Sequence, residues 1–222
     1  MPIWIFNMSE NLKNPKKFKS SSQAWLKRQI NDPFVKQARK DGYRSRAAYK
    51  LVEIDESLKC LKPGSFIVDL GAAPGSWTQV AVEKIGSKGK VVGIDLLPID
   101  PMPGAQFITG DFTDESALIQ LEQLLGGARL DVVLSDMAPN TTGHTQTDHL
   151  RIMHLVELAF DFAKQHLKPG GVFVSKVFAG GTESQLLAEI KKHFTTVKHL
   201  KPGASRKESA EIYLVAKGFR GK

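Results

Sequence analysis

The hydrophobic pattern of this chain switches between a helical period and short, unbroken apolar runs. Between Tyr43 and Leu58, the residues Ala47, Ala48, Leu51, Ile54 and Leu58 recur at helical spacing, which predicts a helix with one buried face. Lys62-Pro63-Gly64 is expected to end it. Upstream, Trp25, Ile30 and Phe34 predict a helix from about residue 22 to 40, with Pro33 as a break point. Downstream, apolar runs at 65–70, 90–95, 106–109, 130–135 and 171–177 predict buried strands. Helices are predicted between them at 76–85, 115–125 and 147–167. A further helix, opened by Thr182 and Gln185 as a capping box, runs to about residue 193. Two last strands are predicted near 196–200 and 211–216.

Strands alternating with helices imply an α/β fold, a doubly wound and mostly parallel seven-stranded sheet with helices on both faces. The helix-free link before the last strand predicts that this strand runs antiparallel. Ligands of such sheets gather beyond the carboxyl ends of the strands, so the residues there carry the functional information. The first strand runs through Asp69 into Gly71-Ala72-Ala73-Pro74-Gly75-Ser76-Trp77, a small-residue turn that lets a ligand approach the backbone. It is neither a GxGxxG dinucleotide turn nor a Walker loop. The second strand ends in Asp95, where a carboxylate accepts from ribose hydroxyls. The third leads to Gly110-Asp111-Phe112, where Asp111 is placed to accept from an amino group of a base. The fourth leads to Asp136. Each aspartate alone reads as readily as a cap or turn former. Four at successive strand ends suit a ligand with a ribose, an amino-bearing base and cationic groups.

Charge adds a partner class. Residues 1–50 carry 12 Lys and Arg against 3 Asp and Glu, whereas the other 172 carry 19 against 20. The basic excess is thus confined to the N-terminal stretch, which reads either as attraction to a polyanionic partner or as a solvated, lysine-rich tail. Residues 1–21 are predicted to be a basic flexible segment, and 22–222 a single domain including the N-terminal helices. The polar start at Met8 suggests it as the natural initiator, with the first seven residues an extension. No apolar run approaches the roughly 20 residues of a membrane span. The single cysteine, Cys60, has no partner within the chain and fits a reducing compartment. A cytoplasmic monomer without a membrane association is expected.

These motifs, in this order, resemble the FtsJ (RlmE) family of ribosomal RNA large-subunit 2′-O-methyltransferases. The resemblance runs from about Trp25 to the C-terminus. It rests on Tyr43-Arg44-Ser45-Arg46-Ala47-Ala48-Tyr49-Lys50-Leu51, the Asp69–Trp77 stretch, Asp95-Leu96-Leu97-Pro98 and Gly110-Asp111-Phe112. It continues through Ser135-Asp136-Met137-Ala138-Pro139-Asn140, Ser175-Lys176-Val177-Phe178 and Ser209-Ala210-Glu211-Ile212-Tyr213. It implies a Rossmann-like methyltransferase fold and a catalytic Lys-Asp-Lys-Glu tetrad at Lys50, Asp136, Lys176 and Glu211. It also implies S-adenosylmethionine held by Gly75, Trp77, Asp95, Asp111 and Asp136. The implied substrate is a uridine ribose in the A loop of 23S rRNA, within the large ribosomal subunit.

Under that reading Lys176 is the candidate base. A lysine serves as base only when its pKa falls well below about 10.4. Burial and a neighbouring cation depress a lysine's pKa, and neighbouring carboxylates raise it. The alternative role is a protonated Lys176 that orients the ribose and stabilises oxyanion charge. Lys50 and Glu211, if merely surface charges, would have no role. Lys176 interrupts an apolar run and is harder to dismiss. Trp77 reads as a cofactor wall or as core. Lys201-Pro202-Gly203-Ala204-Ser205-Arg206-Lys207 is a basic loop that either touches RNA phosphates or is a solvated turn. His144, His149 and His154 lack metal-ligand spacing, so no metal is expected. The rival functions are methylation of tRNA or an mRNA cap, and a non-catalytic ribosome-assembly factor that binds RNA.

Overall fold

The computed structural model describes residues 30–139, 142–179 and 184–221. The basic segment 1–21, Trp25, Asn140 and the cap residue Thr182 lie outside the described residues. Helix α1 spans Pro33–Asp41 and α2 spans Ala48–Leu58. Strand β1 is Phe66–Leu70, α3 Ser76–Ile85, β2 Lys90–Asp95, β3 Ala105–Thr109 and α4 Glu115–Leu125. There follow β4 Leu130–Ser135, α5 Thr145–His166, β5 Leu167–Phe178, α6 Ser184–His193, β6 Phe194–Leu200 and β7 Glu211–Phe219. Among the described residues no helix is long and apolar enough to cross a membrane.

Two boundaries have local reasons, and the second departs from expectation. The expected break falls at Asp32, and Pro33 starts the next helix. Its missing N–H costs nothing in the first turn, and Asp32 caps that turn by accepting from the Phe34 N–H at 3.0 Å. Helix α2 stops at Lys59, earlier than Lys62-Pro63-Gly64. Lys59 takes a left-handed conformation and its N–H closes on the Asp55 carbonyl at 2.7 Å.

The sheet order is β3-β2-β1-β4-β5-β7-β6. β7 runs antiparallel to both neighbours, and the remaining pairs are parallel. The chain therefore winds outward from β1 to β3, then returns to place β4 on the other side of β1. That reversal makes the carboxyl ends of β1 and β4 the switch point where ligands of such sheets gather.

The pleat sorts the core into two layers. Val68, Val133, Phe173 and Leu214 pack with α4, α5 and α6. Ile67, Val132, Leu134, Val172, Val174, Tyr213 and Val215 face the other way and pack with α2 and α3. Fully burying one such aliphatic or aromatic side chain contributes about 1.5–3 kcal/mol. The register is therefore held firmly, since a slip by one residue would turn every core side chain outward. The same parity decides where charged residues near the strand ends point. Positions 136, 176 and 211 continue the α2/α3-facing series 132–134, 172–174 and 213–215.

Candidate active site

Register then brings the charges together. Ser135 pairs with Ser175 across β4 and β5, so Asp136 lies beside Lys176. Lys176 pairs with Tyr213 across β5 and β7, and Glu211 is two residues further along the same face. Helix α2 lies over this face and carries Lys50, one residue before the buried Leu51.

The four side chains form one network. Lys176 Nζ donates to the Asp136 carbonyl at 2.7 Å and stands 2.8 Å from Asp136 Oδ1. Its distance to Glu211 Oε2 is 3.8 Å. Lys50 Nζ reaches Glu211 Oε1 at 2.6 Å. Two ammonium groups thus balance two carboxylates in a site where Lys176 is only 8% exposed. Removing one partner would leave an uncompensated buried charge.

Tyr213 joins the network although the pattern of charges did not single it out. Its hydroxyl donates at 2.7 Å to Asp136 Oδ1 or at 3.1 Å to Glu211 Oε1. Burial, with the charges of Asp136 and Glu211, pushes the phenol well above its ordinary range, so it stays a neutral donor. Burial also pushes the Asp136 carboxyl up. The charges of Lys176 and Lys50 and the hydrogen bonds from Lys176 and Tyr213 outweigh this, and it ends below the ordinary carboxylate range. The signal for Tyr213 was an aromatic two residues after Glu211, on the same face of a strand.

The other half of the rim is built from backbone. Gly75 caps α3 with φ 97°, and a Cβ there would stand 2.5 Å from Arg44 Nη1. Arg44 ties the turn down, donating to the carbonyls of Pro74 at 3.0 Å and Pro101 at 3.1 Å. At Gly71 a Cβ would meet Met137 at 2.8 Å, so the ends of β1 and β4 close on each other. Asp95 accepts from the Ala73 N–H through Oδ2 and the Leu97 N–H through Oδ1, both at 2.9 Å. It braces the glycine-rich turn against β2. Leu96 and Leu97, beside it, are 65% and 64% exposed. Asp111 Oδ1 accepts from the Thr113 N–H at 2.8 Å and hydroxyl at 2.7 Å, which lowers its pKa.

Two expected site residues sit deeper than their position in the motifs implied. The Trp77 ring is in the core, 2% exposed, with its N–H donating to the Ala47 carbonyl at 2.9 Å and its face 5.4 Å from the Tyr213 ring. Its indole backs the network instead of lining an open wall. Asp69 lies inside β1, fully buried. Thr78 donates to its Oδ2 at 2.7 Å, and its Oδ1 has no hydrogen-bond partner among the described residues. Burial pushes its pKa up to about 7. The hydrogen bond from Thr78 opposes that rise, and the negative charges of Asp136 and Asp95 add to it. Of the histidines, His144 is a helix cap, its Nδ1 3.0 Å from the Thr147 hydroxyl at the start of α5.

The FtsJ-like methyltransferase family profile matches residues 43–219. The ribosomal RNA large subunit methyltransferase E of Paramagnetospirillum magneticum is 58% identical over 220 residues, 97% of this chain and 90% of that protein. The enzyme of the same name from Acidiphilium cryptum is 59% identical over 209 residues, covering 94% and 92%. A Plasmodium falciparum crystal structure, provisionally described as a ribosomal RNA methyltransferase, superposes with a TM-score of 0.72. It is 35% identical and covers 81% of this chain and all of that one.

Proposed function

The chain belongs to the FtsJ-like methyltransferase family, and on that premise we propose that it methylates a ribose 2′-hydroxyl of large-subunit ribosomal RNA, with S-adenosylmethionine as donor. The target we infer is a uridine in the A loop of 23S rRNA within the large subunit. The observation that carries this reading is the closed Lys50–Glu211–Lys176–Asp136 network. The names of the relatives support the choice of ribosomal RNA.

The residues of the rim fit the donor. A buried Asp69 oxygen with no hydrogen-bond partner among the described residues, with Asp136 and Asp95 near enough to raise its pKa, marks a place where negative charge is crowded. A cationic ligand relieves such crowding. S-adenosylmethionine, when bound, supplies an electrophilic methyl on a sulfonium. Asp95 would accept from ribose hydroxyls, and Asp111 from the adenine amino group. The backbone at Gly75 and Trp77 would lie against the ligand, and the exposed Leu96 and Leu97 would cover the base. Asp136 joins this half to the tetrad.

The tetrad's task is to fix the acceptor hydroxyl and manage its proton. To act as base, Lys176 Nζ first releases a proton to solvent, and the neutral amine then takes the proton of the 2′-oxygen as the O–CH3 bond forms and the S–CH3 bond breaks. The resulting ammonium is already surrounded by the Asp136 carbonyl, Asp136 Oδ1 and Glu211 Oε2. Lys50 and Glu211 hold the sugar, and orientation of this kind contributes several kcal/mol.

The test is methyl transfer from labelled S-adenosylmethionine to large subunits, free 23S rRNA, tRNA and capped RNA, followed by mass mapping of the methylated ribose. Label at one A-loop uridine of the large subunit is expected. Label only on tRNA or capped RNA, or no binding of the donor by calorimetry, overturns the reading. The basic N-terminal residues are tested by deleting 1–21, which should weaken RNA binding and flatten its salt dependence. The cut stops short of α1, whose Ala38 is buried against the domain.

A further inference from the structure

Glu211 spends its two oxygens unequally. Oε1 accepts from Lys50 Nζ at 2.6 Å and the Ser205 hydroxyl at 3.2 Å, and shares with Asp136 the single proton of the Tyr213 hydroxyl, 3.1 Å away. Oε2 is the oxygen on the side of Lys176. Lys50 and Tyr213 come from α2 and β7, but Ser205 comes from the loop between β6 and β7. It is 6% exposed in a loop that otherwise carries the basic residues Lys201, Arg206 and Lys207.

The loop is tied to the body at several points. Glu53 of α2 accepts from the N–H groups of Gly203 at 2.5 Å and Ala204 at 2.9 Å. Arg46 donates to the Ala204 carbonyl and pairs with Asp32 at 2.5 Å, and Arg206 lies 3.6 Å from the same carboxylate. Ser205 therefore sits between an ordered basic loop and the carboxylate of the tetrad.

We propose that Ser205 is a positioning residue that aims the Glu211 carboxylate, by holding Oε1 from the loop side so that Oε2 is presented to Lys176 and the acceptor ribose. The inference rests on the methyltransferase reading and deepens it. It ties the geometry of the basic loop to the tetrad through one hydroxyl.

The test compares Ser205→Ala and Ser205→Thr with the parent protein. Undermethylated large ribosomal subunits from cells lacking the protein serve as acceptor. Loss of the hydroxyl should lower the single-turnover rate about tenfold, the lower end of the scale for one hydrogen bond to a charged group. Affinities for S-adenosylmethionine and for the subunits should stay within about twofold, and the threonine variant, which keeps the hydroxyl, should recover most of the rate. A parent-like rate in Ser205→Ala overturns the proposal, as does equal loss in both variants with weakened donor binding. A crystal structure of Ser205→Ala gives a readout independent of turnover. A displaced Glu211 carboxylate supports the proposal, and an unmoved one overturns it. If the parent itself transfers no methyl group, the methyltransferase reading falls, while the crystallographic arm still decides the positioning role.

Discussion

Asp95 and Asp111 spend their carboxylates on nearby backbone and one neighbouring hydroxyl, whereas Asp136 and Glu211 spend theirs on side chains carried by α2, β5, β7 and the loop before β7. Asp95 holds N–H groups of the glycine-rich turn and of its own loop, and Asp111 closes a turn on Thr113. Asp136 and Glu211 are bound by Lys50, Lys176 and Tyr213, from α2, β5 and β7. One half of the rim is a shaped backbone that a ligand can rest on. The other is a buried charge network that holds its own geometry. Recognition and chemistry should therefore separate under mutation.

The sharpest break in that separation is expected at Lys176. Lys176→Ala should lower methyl transfer on the order of 10³-fold, the scale of a lost acid–base group. Donor affinity by calorimetry should change by about threefold at most. Equal losses in turnover and donor binding would merge the two halves into one. The converse variant, Asp95→Ala, should weaken donor binding about 100-fold, because it removes the brace of the turn along with the proposed ribose contact. Its rate at saturating donor should fall much less.

Asp69 tests the excess charge beneath both halves. Its folded pKa, near 7, lies above its unfolded value near 3.8. The folded protein thus binds the extra proton between those values, and stability falls as pH rises through that window. Asp69→Asn removes this dependence. Measured by denaturation, the variant should gain on the parent between pH 4 and pH 8, on the order of 4 kcal/mol. A constant difference across that range would remove Asp69 as a source of strain. The smallest effect is expected from Tyr213→Phe. It deletes one donor shared by Asp136 and Glu211 and should slow transfer about tenfold with donor affinity unchanged. An unaltered rate would make the phenol a packing residue only.

Legibility in the sequence followed the same divide. Helices α3 and α4 and strands β2 and β4 were delimited correctly by periodicity, because buried faces impose their own spacing. The antiparallel placement of β7 followed from the helix-free link before it. The end of α2 was misjudged because the left-handed Lys59 depends on an individual backbone bond. Asp95 and Asp111 were legible as strand-end acids, since their partners are sequence neighbours or the adjacent turn. Trp77 and Asp69 sat in a recognisable motif, yet their depth depends on α2 and on the pleat of β1.

The order of strands and helices, the small-residue turn after β1 and the identity of the charged residues were determined by the sequence alone, because each is a matter of local pattern. Only the tertiary structure decided that Lys50, Asp136, Lys176 and Glu211 share one face, that Tyr213 and Ser205 complete their hydrogen bonds, and that Trp77 lies behind them. The physical reason is register. Pleat parity and cross-strand pairing set Asp136, Lys176 and Glu211 side by side, and the packing of α2 on that face brings Lys50 to Glu211, more than 150 positions away, a distance no local pattern carries.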